Sequence, residues 1–404
     1  MSALHGLLSP RAVRDRATQL LAAGLAGRLT CFEIDEVRLI DAARLTAQVT
    51  RERYPSLQVP GHGRLAHFDA GGVPRTAAMA HELSELSALE RARRTCELIV
   101  ASVLLDAGAG STWCFVEPET GLRIGRSEGL ALASLAWIKR GGLSVRGEPY
   151  RVDAEALVAL SEPQLSAAFQ VTLDNPLVGV AGRVQLLNEL GRRLAARPDV
   201  FGPEARFGGL VDWLLALAAG GRVAAADVLG VILDTLGPIW PGGLWVDGVA
   251  LGDVWRHAAI GGEGATAGLL PLHKLSQWLC YSLLAPLASA GLTVVDQAAL
   301  TGLAEYRNGG LFIDTGVLVP KHSDVLGQGH AVSSQVVIEW RGLTVALLDR
   351  LAPLVRAELG LDETTLPLAA VLEGGSWAAG RVLAQRLRPD GGPPIKVLSD
   401  GTVF

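Results

Sequence analysis

The sequence predicts a mainly α-helical protein with a few short β-hairpins. Apolar residues make up 49% of the 404 residues and charged residues only 19%, which indicates a large buried interior. Most of the chain has apolar residues at helical spacing, and these runs are separated by loops rich in glycine and proline. Strand-favouring runs are confined to residues 112–127 and the C-terminus, so β-structure is expected to be minor.

The first 150 residues are predicted to form an N-terminal helical region with an inserted β-hairpin. Ser9 followed by Pro10 is typical of a helix start and predicts a helix over 11–26. Further helical runs are expected at 37–54, 76–105 and 128–140, with a Pro/Gly loop at 54–63. Two β-favouring runs flank a short turn at 118–121, which predicts a hairpin over 112–127.

Residues 151–404 are predicted to form a helical core that ends in a small C-terminal hairpin. Glycine-rich loops separate the expected helices, which lie at 153–160, 162–169, 179–196, 210–220, 223–236, 275–290 and 336–359. Asp400 and Gly401 lie between β-favouring flanks and predict the hairpin within 391–404. The two regions could equally form one integrated globule, because composition does not locate a boundary.

Net charge, cysteine spacing and the N-terminal sequence argue against several classes of protein. The net charge of −5 provides no basic field for long nucleic acid, although a small anion could bind locally. The four cysteines are widely spaced, so reduced thiols are expected rather than a zinc ribbon or a disulfide framework. The N-terminus lacks a secretory signal pattern, which predicts a cytoplasmic protein. The uncharged run 275–295 has the length of a membrane span, but Pro286 and several polar residues favour a buried soluble helix.

Common cofactor and metal motifs are missing from the sequence. No phosphate-binding P-loop occurs, and the glycines of 262–268 have neither the spacing nor the preceding strand of a dinucleotide loop. His62 and His67 are close together, but no further ligand pattern joins them. The run 231–237 approaches a phosphoribosyl-binding loop, yet it has one acid and helical surroundings. We therefore expect neither a cofactor nor a metal.

The most polar turn of this apolar chain contains Glu305, Tyr306, Arg307 and Asn308. These residues follow a helix-like run at 296–303 and precede Gly309 and Gly310, so they are predicted to lie where a helix ends. A carboxylate, a phenol, a guanidinium and an amide side by side indicate a ligand site. The alternative is a Glu–Arg pair that caps a helix beside a packed tyrosine.

A second polar group precedes the uncharged helix at 275–290. His273 and Gln277 are spaced i, i+4 and are expected on one helix face, with Lys274 beside them. Lys274 could bind an anionic substrate group or extend to the surface along its aliphatic stem, and the sequence leaves both open.

Five segments together resemble the uracil-catabolism protein four family over nearly the whole chain. They are PLHKLSQWL from Pro271, EYRNGG from Glu305, VVIEWRGLTV from Val336, LEGGSWAAGR from Leu372 and GGPPIKVLSDGTVF from Gly391. The resemblance implies a role in a pathway that breaks uracil down through a ribosylated urea. Members are often labelled uracil phosphoribosyltransferases, an activity for which these residues give little support.

Lys274, Gln277 and the run from Glu305 to Arg307 are also similar in order and spacing to motifs of the queuosine-nucleotide N-glycosidases. This likeness implies a DNA-glycosylase-like helical globule that hydrolyses an N-ribosyl bond. It implies that Glu305 is the catalytic carboxylate, here in place of an aspartate, and that Lys274 lies near a nucleotide phosphate. The motif's Val-Pro-Gln is replaced by Asn308-Gly309-Gly310, which leaves recognition of the leaving group undetermined.

The hypothesis that follows is hydrolysis of a ribosylurea, as its 5′-phosphate, to urea and ribose 5-phosphate. Tyr306, Arg307 and Asn308 are expected to contact this small substrate together with Lys274, His273 and Gln277, and Asp314 or His273 could protonate the leaving urea. A uracil phosphoribosyltransferase and a non-catalytic nucleotide-binding protein are the alternatives. The oligomeric state is not indicated by the sequence.

Overall fold

The computed structural model describes residues 3–110, 112–240 and 243–398, and it confirms a mainly helical protein with small sheets. The α-helices in chain order are α1 (Pro10–Leu25), α2 (Leu39–Arg53), α3 (Arg64–Phe68), α4 (Arg75–Glu82), α5 (Ala88–Leu104), α6 (Arg126–Lys139), α7 (Ala154–Val158), α8 (Glu162–Ala168), α9 (Val180–Ala196), α10 (Pro198–Phe201), α11 (Gly209–Leu217), α12 (Ala225–Leu236), α13 (Lys274–Ser289), α14 (Tyr306–Asp314), α15 (Asp324–Gly327), α16 (Gln335–Leu359), α17 (Leu368–Val371) and α18 (Trp377–Leu387). A π-helical segment, Leu372–Ser376, joins α17 to α18.

The strands are short and pair two by two. The antiparallel pairs are β1 (Phe32–Ile34) with β10 (Leu318–Pro320), β2 (Cys114–Val116) with β3 (Arg123–Gly125), β5 (Leu244–Val246) with β6 (Val249–Gly252), and β7 (Val254–Arg256) with β8 (Leu269–Pro271). The parallel pairs are β4 (Arg222–Ala224) with β9 (Thr293–Val295), and β11 (Gly329–Ala331) with β12 (Lys396–Leu398).

The chain divides into two compact units, each assembled from separate stretches of sequence. The first unit contains residues of 1–62, 244–277 and 298–398, and the second contains residues of 63–243 and 278–297. In the first unit α16 packs against α1, α2 and α14, and α14 packs against α18. Residues 337–348 of α16 are all buried, as expected for the central helix of a core. The predicted division near residue 150 stays a prediction.

The second unit is built around α5, whose residues from Cys96 to Leu104 are buried without interruption. Helix α5 packs against α6, α9 and α11, while α9 packs against α7. The β2–β3 hairpin lies against α6 in this unit. The predicted hairpin at 112–127 is thereby confirmed.

Several predicted boundaries change for local reasons. The prediction of a single helix over 76–105 is wrong, because two helices, α4 and α5, form there. Ser87 starts α5 by accepting a hydrogen bond from the backbone N–H of Glu90. In the C-terminal hairpin prediction, 396–398 forms β12, but its described partner is the parallel strand β11. The rest of that prediction, residues 399–404, lies outside the described residues.

The cysteines and the long uncharged run were the other features with a predicted state. Cys31, Cys96, Cys114 and Cys280 are free thiols. None of the helices in the described ranges is both long and apolar enough to cross a membrane. The uncharged run at 275–295 forms most of α13, which ends at Ser289.

Candidate active site in the first unit

Glu305 is the N-cap of α14, so the polar turn begins a helix. Its carboxylate accepts hydrogen bonds from the backbone N–H of Arg307 at 2.7 Å and of Asn308 at 2.5 Å. These two N–H groups have no partner within the helix, and the side chain satisfies both of them. The prediction that residues 305–308 lie where a helix ends is therefore wrong, because a helix begins there. The helix expected over 296–303 is also wrong, because only a 3₁₀ turn at Gln297–Ala299 forms there.

Gly309 and Gly310 lie inside α14, where neighbouring elements leave no room for a side chain at 309 and little room at 310. A Cβ at Gly309 would lie 2.5 Å from Nε1 of Trp340 and 2.8 Å from Oγ1 of Thr344 on α16. A Cβ at Gly310 would lie 3.1 Å from Cδ of Pro394. The pair therefore permits close helix packing, whereas its sequence pattern indicated a helix stop.

The Glu305 carboxyl is a buried acid with an altered proton affinity. Only 7% of the residue is exposed, and this burial raises the pKa of Glu305 above its ordinary value. The two capping N–H groups and the charges of Lys274 and Arg307 oppose the increase in pKa without cancelling it. A carboxyl with a raised pKa can exchange a proton closer to neutral pH than an ordinary glutamate.

Lys274 is the first residue of α13 and is 8% exposed. Its positive charge lowers the pKa of Glu305, so the ammonium group acts on this carboxyl across 31 residues of sequence. The backbone N–H of Lys274 donates to Oδ2 of Asp253 at 3.0 Å, which fixes the start of the helix. The structure thus places Lys274 close enough to Glu305 for its charge to act on the carboxyl, and both residues belong to the glycosidase-like motifs.

A buried ion pair that the sequence did not reveal positions both of these residues. The guanidinium of Arg341 donates to both carboxylate oxygens of Asp253, at 2.9 and 2.8 Å, and its Nε donates to the carbonyl of Ala304 at 3.3 Å. Asp253 therefore holds the backbone of Lys274 while Arg341 holds the residue before Glu305. The available signal was an arginine inside a mostly apolar stretch of α16, since charged residues are rarely buried unless paired.

Tyr306 and Arg307 form the first turn of α14 beside the carboxyl. The guanidinium of Arg307 lies over the Tyr306 ring, 4.9 Å from its centroid, and donates to the carbonyl of Gly391 at 2.9 Å. Arg307 is 4% exposed. Its charge favours the ionised form of Glu305, while its hydrogen bond holds the C-terminal segment.

Asn308 is a fully buried amide with unmet hydrogen-bonding capacity. It is 0% exposed, and within the described ranges neither Oδ1 nor Nδ2 has a hydrogen-bond partner. An unsatisfied buried amide costs about 1–3 kcal/mol, so native proteins rarely contain one without a reason. Helix side chains lean toward the N-terminus, which directs Asn308 toward the turn of Glu305.

His273 and Gln277 bind neighbouring backbone groups. Nε2 of His273 donates to the carbonyl of Leu7 at 3.0 Å, and burial lowers the pKa of this imidazole. Oε1 of Gln277 accepts from both the N–H and the hydroxyl of Thr301, at 3.1 and 2.9 Å. Both residues therefore hold loops around the site, and His273 precedes α13 instead of sharing a helix face with Gln277.

Asp314 lies at the opposite end of α14 from Glu305. Its carboxylate accepts from both terminal nitrogens of Arg388, at 2.8 and 2.5 Å. It lies eight residues after Tyr306, which is about 12 Å along the helix axis. The structure does not bring Asp314 to the carboxyl of Glu305.

The two neighbouring histidines of the sequence have different partners. Nδ1 of His62 contacts Glu373 at 2.7 Å, whereas Nδ1 of His67 contacts the hydroxyl of Ser127 at 3.0 Å. Across the described residues, no group of three or more His, Cys, Asp or Glu side chains is arranged to hold a metal ion.

The second unit has an open cleft of about 710 Å³ that is rich in arginine. Its arginines pair with carboxylates: Arg93 with Asp212 at 2.5 Å, Arg206 with Glu97 at 2.8 Å, and Arg94 and Arg151 likewise. Because these positive charges are matched by acids, the cleft shows no unpaired arginine among these described residues, whereas an anion site would require one.

The chain matches one protein family and is similar to two named fungal proteins along most of its length. A family model described as "Protein of unknown function (DUF1688)" matches residues 6–404. The chain is 38% identical over 406 residues to Protein urg3 of Schizosaccharomyces pombe, which covers 98% of each chain. It is 39% identical over 378 residues to Uracil catabolism protein 4 of Lachancea kluyveri, which covers 86% of this chain and 85% of the relative.

Proposed function

The chain belongs to the DUF1688 family, and on that premise we propose that it acts in uracil catabolism as an N-ribosyl hydrolase. The proposed substrate is a ribosylurea carrying a 5′-phosphate, and the products are urea and ribose 5-phosphate. The name of the Lachancea relative supports the pathway. The buried carboxyl of Glu305, with its raised pKa and its neighbouring Lys274 charge, is the observation that supports the reaction.

The reaction needs one group to accept a proton and one to donate a proton. The bond between C1′ and nitrogen breaks with its electron pair moving to nitrogen, and water adds to C1′ of an oxocarbenium-like transition state. Glu305 stabilises the developing positive charge and takes a proton from the attacking water. The leaving nitrogen takes up a second proton, which completes urea.

Lys274 and Asn308 bind the two ends of the substrate, the 5′-phosphate and the urea group. The Lys274 ammonium group is the cation that can balance the 5′-phosphate near the reacting carboxyl. The Asn308 amide offers one donor group and one acceptor, which complement the carbonyl and N–H of a ureide. Binding of urea would supply the partners that this buried side chain lacks within the described part of the protein.

Urea release from ribosylurea 5′-phosphate tests the proposal directly. Glu305→Gln removes the charge at nearly constant size, while Glu305→Ser keeps an N-cap acceptor for α14 but loses the carboxyl. We expect both variants to release urea about 10²- to 10⁴-fold more slowly than the wild type. Wild-type activity in Glu305→Ser would show that the side chain only caps its helix.

Two further assays on the same protein distinguish the hydrolase from a transferase and from a non-catalytic binding protein. Pyrophosphate release from uracil and phosphoribosyl pyrophosphate, without urea release from ribosylurea 5′-phosphate, would replace the hydrolase with a transferase. Tight binding of ribosylurea 5′-phosphate without turnover would indicate a binding protein.

A further inference from the structure

A π-helical segment in the first unit carries a buried glutamate. Residues Leu372–Ser376 interrupt the helical stretch between α17 and α18, and Glu373 within them is 5% exposed. The following glycines pack closely on α2: a Cβ at Gly375 would lie 2.5 Å from Thr46 and Thr50. π-Helical turns are rare and are frequently found at functional sites.

The Glu373 carboxylate collects three hydrogen-bond donors. Oε2 accepts from Nδ1 of His62 at 2.7 Å, while Oε1 accepts from Nη2 of Arg53 and from the hydroxyl of Tyr54, both at 3.2 Å. Burial and the Glu373 charge together raise the pKa of the Tyr54 hydroxyl, which therefore stays a donor. These contacts fix the carboxylate and leave it as an acceptor for the imidazole.

His62 is held in one orientation by this carboxylate. The residue is 4% exposed, its backbone N–H donates to the carbonyl of Ala369 at 3.1 Å, and its ring centroid lies 6.4 Å from that of Trp377. Because Nδ1 carries the hydrogen that Glu373 accepts, Nε2 faces the opposite side of the ring. A carboxylate that binds one nitrogen of an imidazole fixes the orientation of the ring.

Packing places this His62–Glu373 pair near the first turn of α14. Trp377, which contacts His62, lies three residues before Gly380 on α18, about 4.5 Å along the helix axis. Gly380 packs directly on the backbone of Arg307, two residues after Glu305. The π-helical segment also packs against α14.

We propose that His62, oriented by Glu373, donates the proton to the leaving urea nitrogen, an inference that rests on the proposed function. The Nε2–H bond breaks as the nitrogen receives its proton, and the electron pair of the C1′–N bond forms the lone pair that accepts it. Glu305 holds the proton taken from water, and exchange with solvent restores both groups. Of the two acids suggested by the sequence, Asp314 lies at the other end of α14 and binds Arg388, and His273 binds the carbonyl of Leu7.

Three further groups lie around the His62–Glu373 pair. Arg53 and Tyr54 share Glu373 with it, and the Arg381 guanidinium lies 5.5 Å from the Trp377 ring centroid on the side of α18. The loss of any of these contacts would also disturb the pair, so the test uses a variant of His62 that preserves them.

His62→Asn provides that variant, because the Asn amide can replace the Nδ1 donor to Glu373 but cannot carry the proton. On ribosylurea 5′-phosphate we expect its kcat/KM to fall about 10²- to 10⁴-fold. On 4-nitrophenyl ribofuranoside 5-phosphate, whose leaving group needs no proton, the same variant should stay within about threefold of the wild type. Glu305→Gln should be slow on both substrates.

His257→Gln is the matched control. His257 is also a buried histidine paired with a glutamate, with Nε2 at 3.3 Å from Glu339, and Gln can replace that donor. We expect wild-type kinetics on both substrates for this control.

Two results would overturn the inference. Wild-type urea release by His62→Asn would remove His62 from the reaction, and an equal loss on both substrates would assign it a structural role. Either result leaves the hydrolase proposal intact, provided that the wild type releases urea and Glu305→Gln does not. A wild type that hydrolyses neither substrate would overturn the proposed function and this inference together.

Discussion

Gly380→Ala should both destabilise the protein and slow the reaction, because this glycine sets the distance between α18 and α14. A Cβ at position 380 would lie 2.0 Å from the carbonyl oxygen of Arg307 and 2.8 Å from its carbonyl carbon. Ordinary contact begins at 3.4 Å. The helices would therefore have to separate by roughly 1.4 Å at this point, a backbone movement that no side-chain rotation can replace.

Two effects of opposite sign decide the size of the change. Alanine is favoured over glycine within a helix by about 1 kcal/mol, which would stabilise α18. Overpacking a well-filled core typically costs 1–3 kcal/mol, and a clash with backbone belongs at the upper end of that range. We therefore expect a net loss of about 2 kcal/mol. Since Glu305 precedes the displaced residue by two positions, a shift near 1 Å should also slow urea release about 10²-fold.

Urea denaturation followed by tryptophan fluorescence measures the loss of stability. The matched control is Gly230→Ala within α12, where an added Cβ meets no atom within 4 Å. This control should raise the free energy of unfolding by about 0.5–1 kcal/mol. A Gly380→Ala protein as stable and as active as the wild type would refute the proposed packing constraint.

Two further predictions concern the buried polar groups of the site. Arg341→Met should cost about 3–5 kcal/mol, because it leaves the Asp253 carboxylate buried without its partner, and Arg341→Met with Asp253→Leu should cost less. Burial raises the pKa of Asp253, but Arg341 outweighs it and holds the pKa at about 2. The wild type should therefore lose stability as the pH falls from about 4 toward 2, and equal costs for the single and double variants would contradict this interpretation. Asn308→Leu should raise the free energy of unfolding by about 1–3 kcal/mol while weakening substrate binding, because its amide has no partner among the described residues; a fall in stability would show that the amide is satisfied in the folded protein.

The main helices could be predicted from sequence because their signals are local. Ser9 accepts from the backbone of Ala12 and starts α1 at Pro10, and the apolar spacing over 336–359 defines α16 to within one residue. The β2–β3 hairpin was equally local, since two β-favouring runs and a short turn define it. The polar turn around Glu305 stood out for the same reason.

Glycine pairs show where local reasoning fails. The pair after Asn308 and the pair after Glu373 both have the composition of a helix break, yet both lie inside helical segments. Each pair is used for close packing, on α16 and the C-terminal segment in the first case and on α2 in the second. Tertiary contacts therefore decided that a helix begins at the polar turn instead of ending there, and that a π-helical segment forms after α17.

The sequence by itself determined that this protein is mainly helical, and it marked Glu305 and Lys274 as the residues of interest. Only the tertiary structure decided how they are held: Asp253 and Arg341 are 88 residues apart, and His62 and Glu373 are 311 residues apart. Helix periodicity and caps act over a few residues, so one sequence records them directly. A buried ion pair forms between residues that folding brings together, and its members look like isolated charges until the fold is known.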